Sequence, residues 1–280
     1  MLVYLNGDYV DHTAARVSVD DRGFLFADGV YEVARVYDGR VFQMGPHMER
    51  MSHGLAELKI NAPQVDEIPA IAERLLDENG LRSGDATIYI QVTRGAAPRA
   101  HAFPPPETKP TIYVIAKPFK QHPATYFEDG VAAVTVPDNR WSRCDIKSIA
   151  LLPNVLANQQ AKEQGAFEAL FVRDGVVIEG SHSNLFGVIG GRLITYQLGG
   201  YILGGITRKL VMERAPKLGI EVSEGPIYLR DLSEVEELFL SGTTTEIMPI
   251  AKVDNHLIGS GQPGPVTRQL QDAYRMWRSE

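Results

Sequence analysis

"IEGSHSNLF" (residues 178–186) and "ILGGITRKLV" (residues 202–211) decide how this chain reads. In the first, Glu179 follows an apolar strand, small and hydroxylic residues come next, and Asn184 opens a second apolar run. A carboxylate so placed can face a protonated heterocycle nitrogen, or it can be a turn glutamate in water. In the second, a glycine pair leads into a helix at Ile206 and Thr207. Free backbone N–H groups at a helix start, with a hydroxyl beside them, suit a phosphate. The stretch lacks the lysine of a P-loop and the GxGxxG of a dinucleotide site, so taken alone it is equally a plain turn.

Three further stretches carry chemistry. "RWSRCDIKSIALL" (140–152) places Lys147 in a run that reads as a buried strand. Alternation puts Cys144, Ile146 and Ser148 on one face and Asp145, Lys147 and Ile149 on the other. Lysine is seldom fully buried, because its ammonium loses water and gains little in return. Lys147 is therefore either an edge-strand lysine reaching solvent or an amine of lowered pKa that forms a Schiff base with a carbonyl. The pattern alone admits both. "QVTRGAAPRAHAF" (91–103) sets Arg94, Arg99 and His101 in a loop between strands. A guanidinium with a neighbouring imidazole suits a carboxylate, and solvated loop arginines are as common. "LSGTTTEIMP" (240–249) offers hydroxyls and a glycine after a strand, to close on a phosphate or simply to end a sheet.

The rest of the chain sets the frame. "YLNGDYV", "ARVYDGRVFQ" and "ALFVRDGVVIEG" each turn on Asn-Gly or Asp-Gly, the pairs that supply the positive φ of tight hairpins. Helical patterns lie between them: "PHMERMSHGLAELKI" from Pro46, "VDEIPAIAERLLDENG" to Gly80, "PNVLANQQAKEQG" to Gly165 and "GITRKLVMERAPKLG" to Gly219. The last three close on a glycine. Hairpins and helices without regular strand–helix alternation predict an α+β fold and not a doubly wound sheet. "AFPPPETKP" (102–110) reads as a surface loop and "AKPFKQHPATYFEDG" (116–130) as a linker, dividing the chain into domains over 1–118 and 119–280.

Bulk properties narrow the function. With 280 residues, 44% hydrophobic and 22% charged, the chain is long enough for a large core. A net charge of −7 and no basic stripe argue against a nucleic-acid binder. No secretion signal and no membrane-length apolar run are read, and the single cysteine, Cys144, excludes an internal disulfide, so a reducing cytoplasm is expected. His47 and His53 miss the i, i+4 spacing of a helical zinc pair, and there is no Cys/His cluster, so no metal is expected. No G-x-S-x-G elbow supports a hydrolase.

In order, these stretches resemble the class IV, fold-type IV aminotransferases that use pyridoxal 5′-phosphate, over essentially the whole chain. The diagnostic pattern is E-x-S-x-x-N with an aliphatic and an aromatic residue, then apolar-x-T, then apolar-x-G-apolar-x-R. It falls on Glu179, Ser181, Asn184, Leu185, Phe186, then Leu193 to Thr195, then Leu203 to Arg208. His182 takes a free position of that pattern. The resemblance implies a smaller N-terminal α+β domain and a larger, mixed, barrel-like C-terminal domain. It implies that Lys147 carries the cofactor covalently and that Glu179 faces the pyridine nitrogen. Arg50, Ile206, Thr207 and Thr243 would hold the phosphate, and Leu203 would pack on the ring.

Within the family, "DGVYEVARVYDG" with Tyr31 and Val33, "QVTRGAAPRAHAFP" and "RWSRCDIKS" resemble the D-amino-acid branch. There Arg99 and His101 bind the substrate carboxylate, reaching in from the other subunit of a homodimer. Gly242 stands where that branch often has a serine. The implied reaction is a two-stage transfer between D-amino acids, of D-alanine or D-glutamate type, and 2-oxo acids. An L-branched-chain or (R)-amine transaminase and an aminodeoxychorismate-type lyase of the same fold are the alternatives, and a binding module with an edge lysine is the reading from another class.

Overall fold

A computed structural model describes residues 1–279. The chain forms two compact units, and the first comprises Met1–Gln121 together with Ile146–Ala150. Its elements are β1 (Leu2–Leu5), β2 (Asp8–Asp11), α1 (Arg22–Phe26), β3 (Gly29–Tyr37), β4 (Arg40–Phe42), α2 (Met44–Glu57), α3 (Ile68–Glu78), β5 (Ala86–Thr93) and β6 (Thr111–Pro118). The six strands make one antiparallel sheet in the order β2-β1-β6-β5-β3-β4. The Asn6-Gly7 and Asp38-Gly39 turns take the positive φ expected of them, 54° and 105°, 47° and 78°.

Strict alternation in β3 and β5 splits this sheet. Val30, Ala34 and Val36 turn to the core with Ile88, Ile90 and Val92, while Tyr31 and Val33 share the opposite face with Gln91 and Tyr89. The apolar stripe of α3, Ile68, Ile71, Ala72, Leu75 and Leu76, recurs at helical spacing and covers the core face.

The stretch around Lys147 differs from the strand expected of it. Only an isolated bridge forms, Val30 to Ser148, flanked by Tyr31 N donating to Lys147 O (3.0 Å) and Ile149 N donating to Gly29 O (3.1 Å). The reason is room. Along one edge of β3, β4 pairs only with Arg35–Tyr37, and residues 147–149 occupy a short free length at the other end of that strand. Two ladder bonds are too few for a strand, yet the expected alternation of faces holds: Cys144, Ile146 and Ser148 are buried and Asp145, Lys147 and Ile149 are half-buried. These residues therefore belong with the first unit, not with the segment that follows them in sequence.

The second unit holds His122–Asp145 and the chain from Leu151 onward. Its elements are α4 (Ala124–Asp129), β7 (Val131–Pro137), α5 (Leu152–Glu163), β8 (Glu168–Arg173), β9 (Val176–Gly180), β10 (Asn184–Ile189), β11 (Arg192–Thr195), α6 (Ile206–Arg214), β12 (Val222–Glu224), β13 (Ile227–Tyr228), β14 (Glu237–Gly242), β15 (Glu246–Val253), β16 (His256–Leu257) and α7 (Pro265–Trp277). The segment 116–130, read as a linker, contains the end of β6 and the whole of α4. Helix α6 is shorter than its pattern: it stops at Arg214, and Ala215–Leu218 tightens into a 3₁₀ turn around Pro216, which has no N–H to continue the ladder.

Six strands of this unit close into a barrel. Pairings run β10–β14, β14–β15, β15–β7, β7–β8 and β8–β9, and the ring shuts where β9 meets β10 at Glu179 and Asn184. Two of the residues that mark the family pattern are thus the seam of the barrel. Leu185, Leu240 and Met248 fill one face of these strands, while Phe186 and Phe239 stack on the other with centroids 5.1 Å apart. Among the described residues no helix is long and apolar enough to cross a membrane.

Candidate active site

The expected site residues fall into groups, one set in each unit. In the first unit, the Lys147 amine lies 3.2 Å from the Tyr31 hydroxyl and 4.3 Å from the centroid of its ring. Tyr31 stacks on Tyr89, whose hydroxyl donates to Gln91 Oε1 (2.6 Å). Burial pushes the Tyr89 phenol up to about 12, so it serves as a fixed proton donor at any physiological pH. Val33 stands on the same face, directly across from Tyr89.

Arg50 projects from α2 onto a wholly buried carboxylate. Its Nε and Nη2 donate to Glu32 Oε1 and Oε2 at 2.7 and 2.8 Å, and His47 Nδ1 lies 2.7 Å from Oε2. Burial disfavours the Glu32 charge, but Arg50 and His47 outweigh it and hold the carboxyl down to about 2. Burial likewise lowers the His47 pKa, with Glu32 pulling the other way. The i, i+3 spacing of His47 and Arg50 puts both on one helix face, over β3. Nothing in the sequence marked Glu32 or His47 as their partners, because the contact joins a strand to a helix.

Arg99 and His101 form a separate group. Both are exposed, and both lean on Phe26: the Arg99 guanidinium is 5.0 Å from its ring centroid, and the His101 ring is 5.6 Å away. Arg94, read alongside them in sequence, is instead buried and ion-paired with Asp28 at 2.7 Å.

In the second unit, Glu179 is the hub. Oε2 accepts from Leu203 N (3.1 Å) and Asn184 Nδ2 (3.2 Å), and Asn184 Nδ2 also donates to Leu203 O (2.8 Å). Oε1 accepts from Arg140 Nη1. Arg140 is itself held by Asp138, Nε to Oδ1 at 2.8 Å, and Asp138 takes a second guanidinium from Arg173. Burial pushes the Glu179 carboxyl up to about 7, against the pull of Arg140. Sequence reasoning missed Arg140, although it stands in the same short stretch as Lys147, because no spacing links it to Glu179 across 39 residues.

The turn after Glu179 explains its small residues. Buried Glu168 accepts from His182 N (2.7 Å) and Ser183 Oγ (3.0 Å), and a Cβ at Gly180 would run into that carboxylate. His182 points its ring outward, 3.4 Å from Glu168. Ile206 and Thr207 open α6, whose N-cap, Gly205, leaves the first N–H groups without a side-chain cap. A Cβ at Gly205 would collide with Asn184 Oδ1, so glycine is required where the helix start meets the Glu179 group. Thr243 lies in the turn between β14 and β15. Ser241, opposite Asn184 in the ladder, has a buried hydroxyl with no hydrogen-bond partner. Burial raises the Cys144 thiol to about 11, which makes it inert packing. Among the described residues no cluster of metal-ligating side chains occurs.

A family model described as amino-transferase class IV matches residues 29–253. The D-alanine aminotransferase of Staphylococcus haemolyticus is 40% identical over 276 residues, 98% of this chain and 97% of that protein. The fold is similar to the branched-chain amino acid aminotransferase of Escherichia coli, with TM-score 0.91 and 27% identity over 99% of this chain and 94% of that one. It is also similar to the T.th. enzyme of the same name solved with pyridoxamine 5′-phosphate, at TM-score 0.90 and 26% identity over 99% and 94%. Pyridoxal 5′-phosphate fits the residues present. An uncapped helix start suits a phosphate, a buried carboxylate fixed on three sides suits a protonated ring nitrogen, and the buried Ser241 hydroxyl opposite Asn184 has no partner of its own.

Proposed function

The chain belongs to the class IV aminotransferases, and on that premise we propose that it moves the amino group of D-amino acids to 2-oxo acids with pyridoxal 5′-phosphate. The observation that carries this reading is the Lys147 amine, held beside the Tyr31 hydroxyl at 3.2 Å. When bound, the cofactor supplies an electron sink for the charge left on Cα after its proton is removed. Lys147 would anchor the cofactor and, once freed, would take the Cα proton and deliver it to the cofactor carbon that keeps the amino group. Tyr31 orients that amine by its hydroxyl and by the face of its ring. Glu179 would face the ring nitrogen, and its bonds from Arg140, Asn184 and the Leu203 N–H keep the carboxylate from rotating away. In the second unit the N–H groups of Ile206 and Thr207, with Thr243, would hold the phosphate and Leu203 would pack on the ring, and the family pattern assigns Arg50 of the first unit to the phosphate as well. Arg99 and His101, reaching in from a second copy of the chain, would hold the substrate carboxylate, and Tyr31 and Val33 would wall the site that carries Lys147.

The 40% identity to a D-alanine aminotransferase, against 27% to the branched-chain enzyme, favours the D hand and a D-alanine or D-glutamate type of substrate. The assignment of Lys147 is tested by borohydride reduction of the holoprotein and peptide mass spectrometry. The cofactor should be fixed on Lys147, and a label on any other lysine would overturn the reading.

We also propose a homodimer. Helix α5 turns its small residues, Ala157 and Ala161, inward and leaves Leu152, Val155 and Leu156 more than half exposed. Phe24 on α1 and Phe103, two residues after His101, are 76% and 58% exposed. Exposed apolar side chains clustered on one helix face, as on α5, mark association surfaces, and a second copy of the chain is the occupant the family supplies. A reducing, cytoplasmic setting agrees with the lone buried thiol of Cys144.

A further inference from the structure

Two exposed side chains on a loop make a poor trap unless something fixes their spacing. Here Phe26 lies under both, and α1, which carries it, is fastened to the sheet through Asp21 and Arg22. Asp21 accepts from Gly23 N (2.8 Å) as the helix N-cap, and its other oxygen takes the hydroxyls of Thr93 (3.0 Å) and Thr111 (2.6 Å). Arg22 N donates to Gly95 O (2.9 Å). A Cβ at Gly23 would strike Thr93, so helix and strand are in van der Waals contact.

The side chain of Arg22 then reaches the loop itself. Nη1 donates to Ala100 O (2.6 Å) and lies 3.3 Å from Ala102 O, the carbonyls on either side of His101. Nε donates to Asp28 Oδ2 (2.8 Å), and Asp28 takes two more bonds from Arg94, at 2.7 and 2.9 Å. Burial disfavours the Asp28 charge, yet the two guanidinium groups hold its carboxyl below the usual range. Arg94 also donates to the carbonyls of Leu58 and Lys59 and covers the Phe103 ring at 3.8 Å. The Arg22–Asp28–Arg94 cluster, with side chains 4%, 12% and 9% exposed, thus pins the loop from beneath at His101 and at Phe103.

We propose that Phe26, braced by the Arg22–Asp28–Arg94 cluster, is the positioning residue that sets the spacing of Arg99 and His101 and so the affinity for the substrate carboxylate. The inference rests on the reading of those two residues as the carboxylate trap. The physics is that of an aromatic floor: a guanidinium over a ring face is attracted to it and loses rotamers, and a tilted imidazole against the same ring is fixed in plane. Without the floor Arg99 still carries its charge, but it must be ordered at each binding event, which raises KM and spares the proton transfer.

The test uses holoenzyme with D-alanine as substrate and with propionate, an unreactive carboxylate whose binding is titrated by the cofactor absorbance. Phe26→Ala should raise both KM and the propionate Kd by about fivefold, the upper end for an exposed cation–π contact, with kcat inside about twofold. Phe26→Tyr should restore both. Phe26→Leu keeps apolar bulk for folding and lacks the π face, so it should remain impaired, and parity with wild type would contradict the proposal. A fall in kcat with unchanged propionate binding would reduce Phe26 to a packing residue and overturn it. Arg99→Ala separates the premise from the inference. If it raises neither KM nor Kd, the trap reading fails; if it raises both while Phe26→Ala raises neither, the trap stands and Phe26 is not its floor.

Discussion

Glu32 and Glu179 are both buried glutamates paired with arginine, and they titrate in opposite directions. Glu32 takes both oxygens' worth of Arg50 and a histidine besides, so its carboxyl falls from 4.5 to about 2. Glu179 has one bond from Arg140, and desolvation prevails, lifting it from 4.5 to about 7. The signs give two windows. The stability contributed by Glu32 is present above pH 4.5 and is lost as pH falls toward 2. In the cofactor-free protein, Glu179 works the other way: the folded state keeps a proton the unfolded chain releases, so stability declines as pH rises from 4.5 to 7. Thermal denaturation of apoprotein across pH 4–8 should show that decline, and Glu179→Gln should flatten it. Glu32→Ala leaves the Arg50 charge without its buried partner and should cost about 3–5 kcal/mol in denaturant unfolding. Lys147→Ala should lower turnover by about 10²–10⁴-fold, the worth of a positioned proton-transfer group, with folding intact by circular dichroism.

At the scale of elements, the start of α6 and the β9–β10 seam depend on one another through Asn184. Its amide ties Glu179 to Leu203, and its Oδ1 occupies the space a side chain at position 205 would need. Gly205→Ala should therefore disturb the phosphate end and the ring-nitrogen end together. Titration of apoprotein with pyridoxal phosphate should show a Kd raised by about tenfold, ~1.4 kcal/mol, and an unchanged Kd would separate the two. These elements were legible in sequence to different depths. The hairpins were, because Asn6-Gly7, Asp38-Gly39 and Asp174-Gly175 need positive φ and obtain it. Glu179, Asn184 and the glycine pair before α6 stood out by type and order. The strand expected around Lys147 failed because alternation says nothing of how much sheet edge remains free. Arg140, Glu32 and Phe26 were invisible, since each matters through a partner that only folding brings near. The α7 stripe of Leu270, Tyr274 and Trp277 also has a helical period, behind a proline at the first helical position.

For the whole molecule, the proposed carboxylate trap calls for a second copy of the chain. Leu152, Val155 and Leu156 on α5 are 69%, 59% and 61% exposed, an arrangement that water disfavours and a partner copy would relieve. Leu156→Asp should shift the sedimentation of the protein from dimer to monomer and lower activity with it; a monomeric wild type would remove the dimer from the account. The central claim is a cofactor on Lys147 that accepts amino groups from the D hand. It is tested most directly by a half-reaction, with holoenzyme mixed with D-alanine or D-glutamate and, separately, with the L enantiomers and L-branched-chain amino acids, while the visible band of the bound cofactor is followed. Bleaching by the D-amino acids alone is predicted. Bleaching by L-leucine or L-valine alone would contradict the assigned hand and the role of Arg99 and His101, and a protein that shows no band after incubation with pyridoxal phosphate would contradict the role of Lys147 itself.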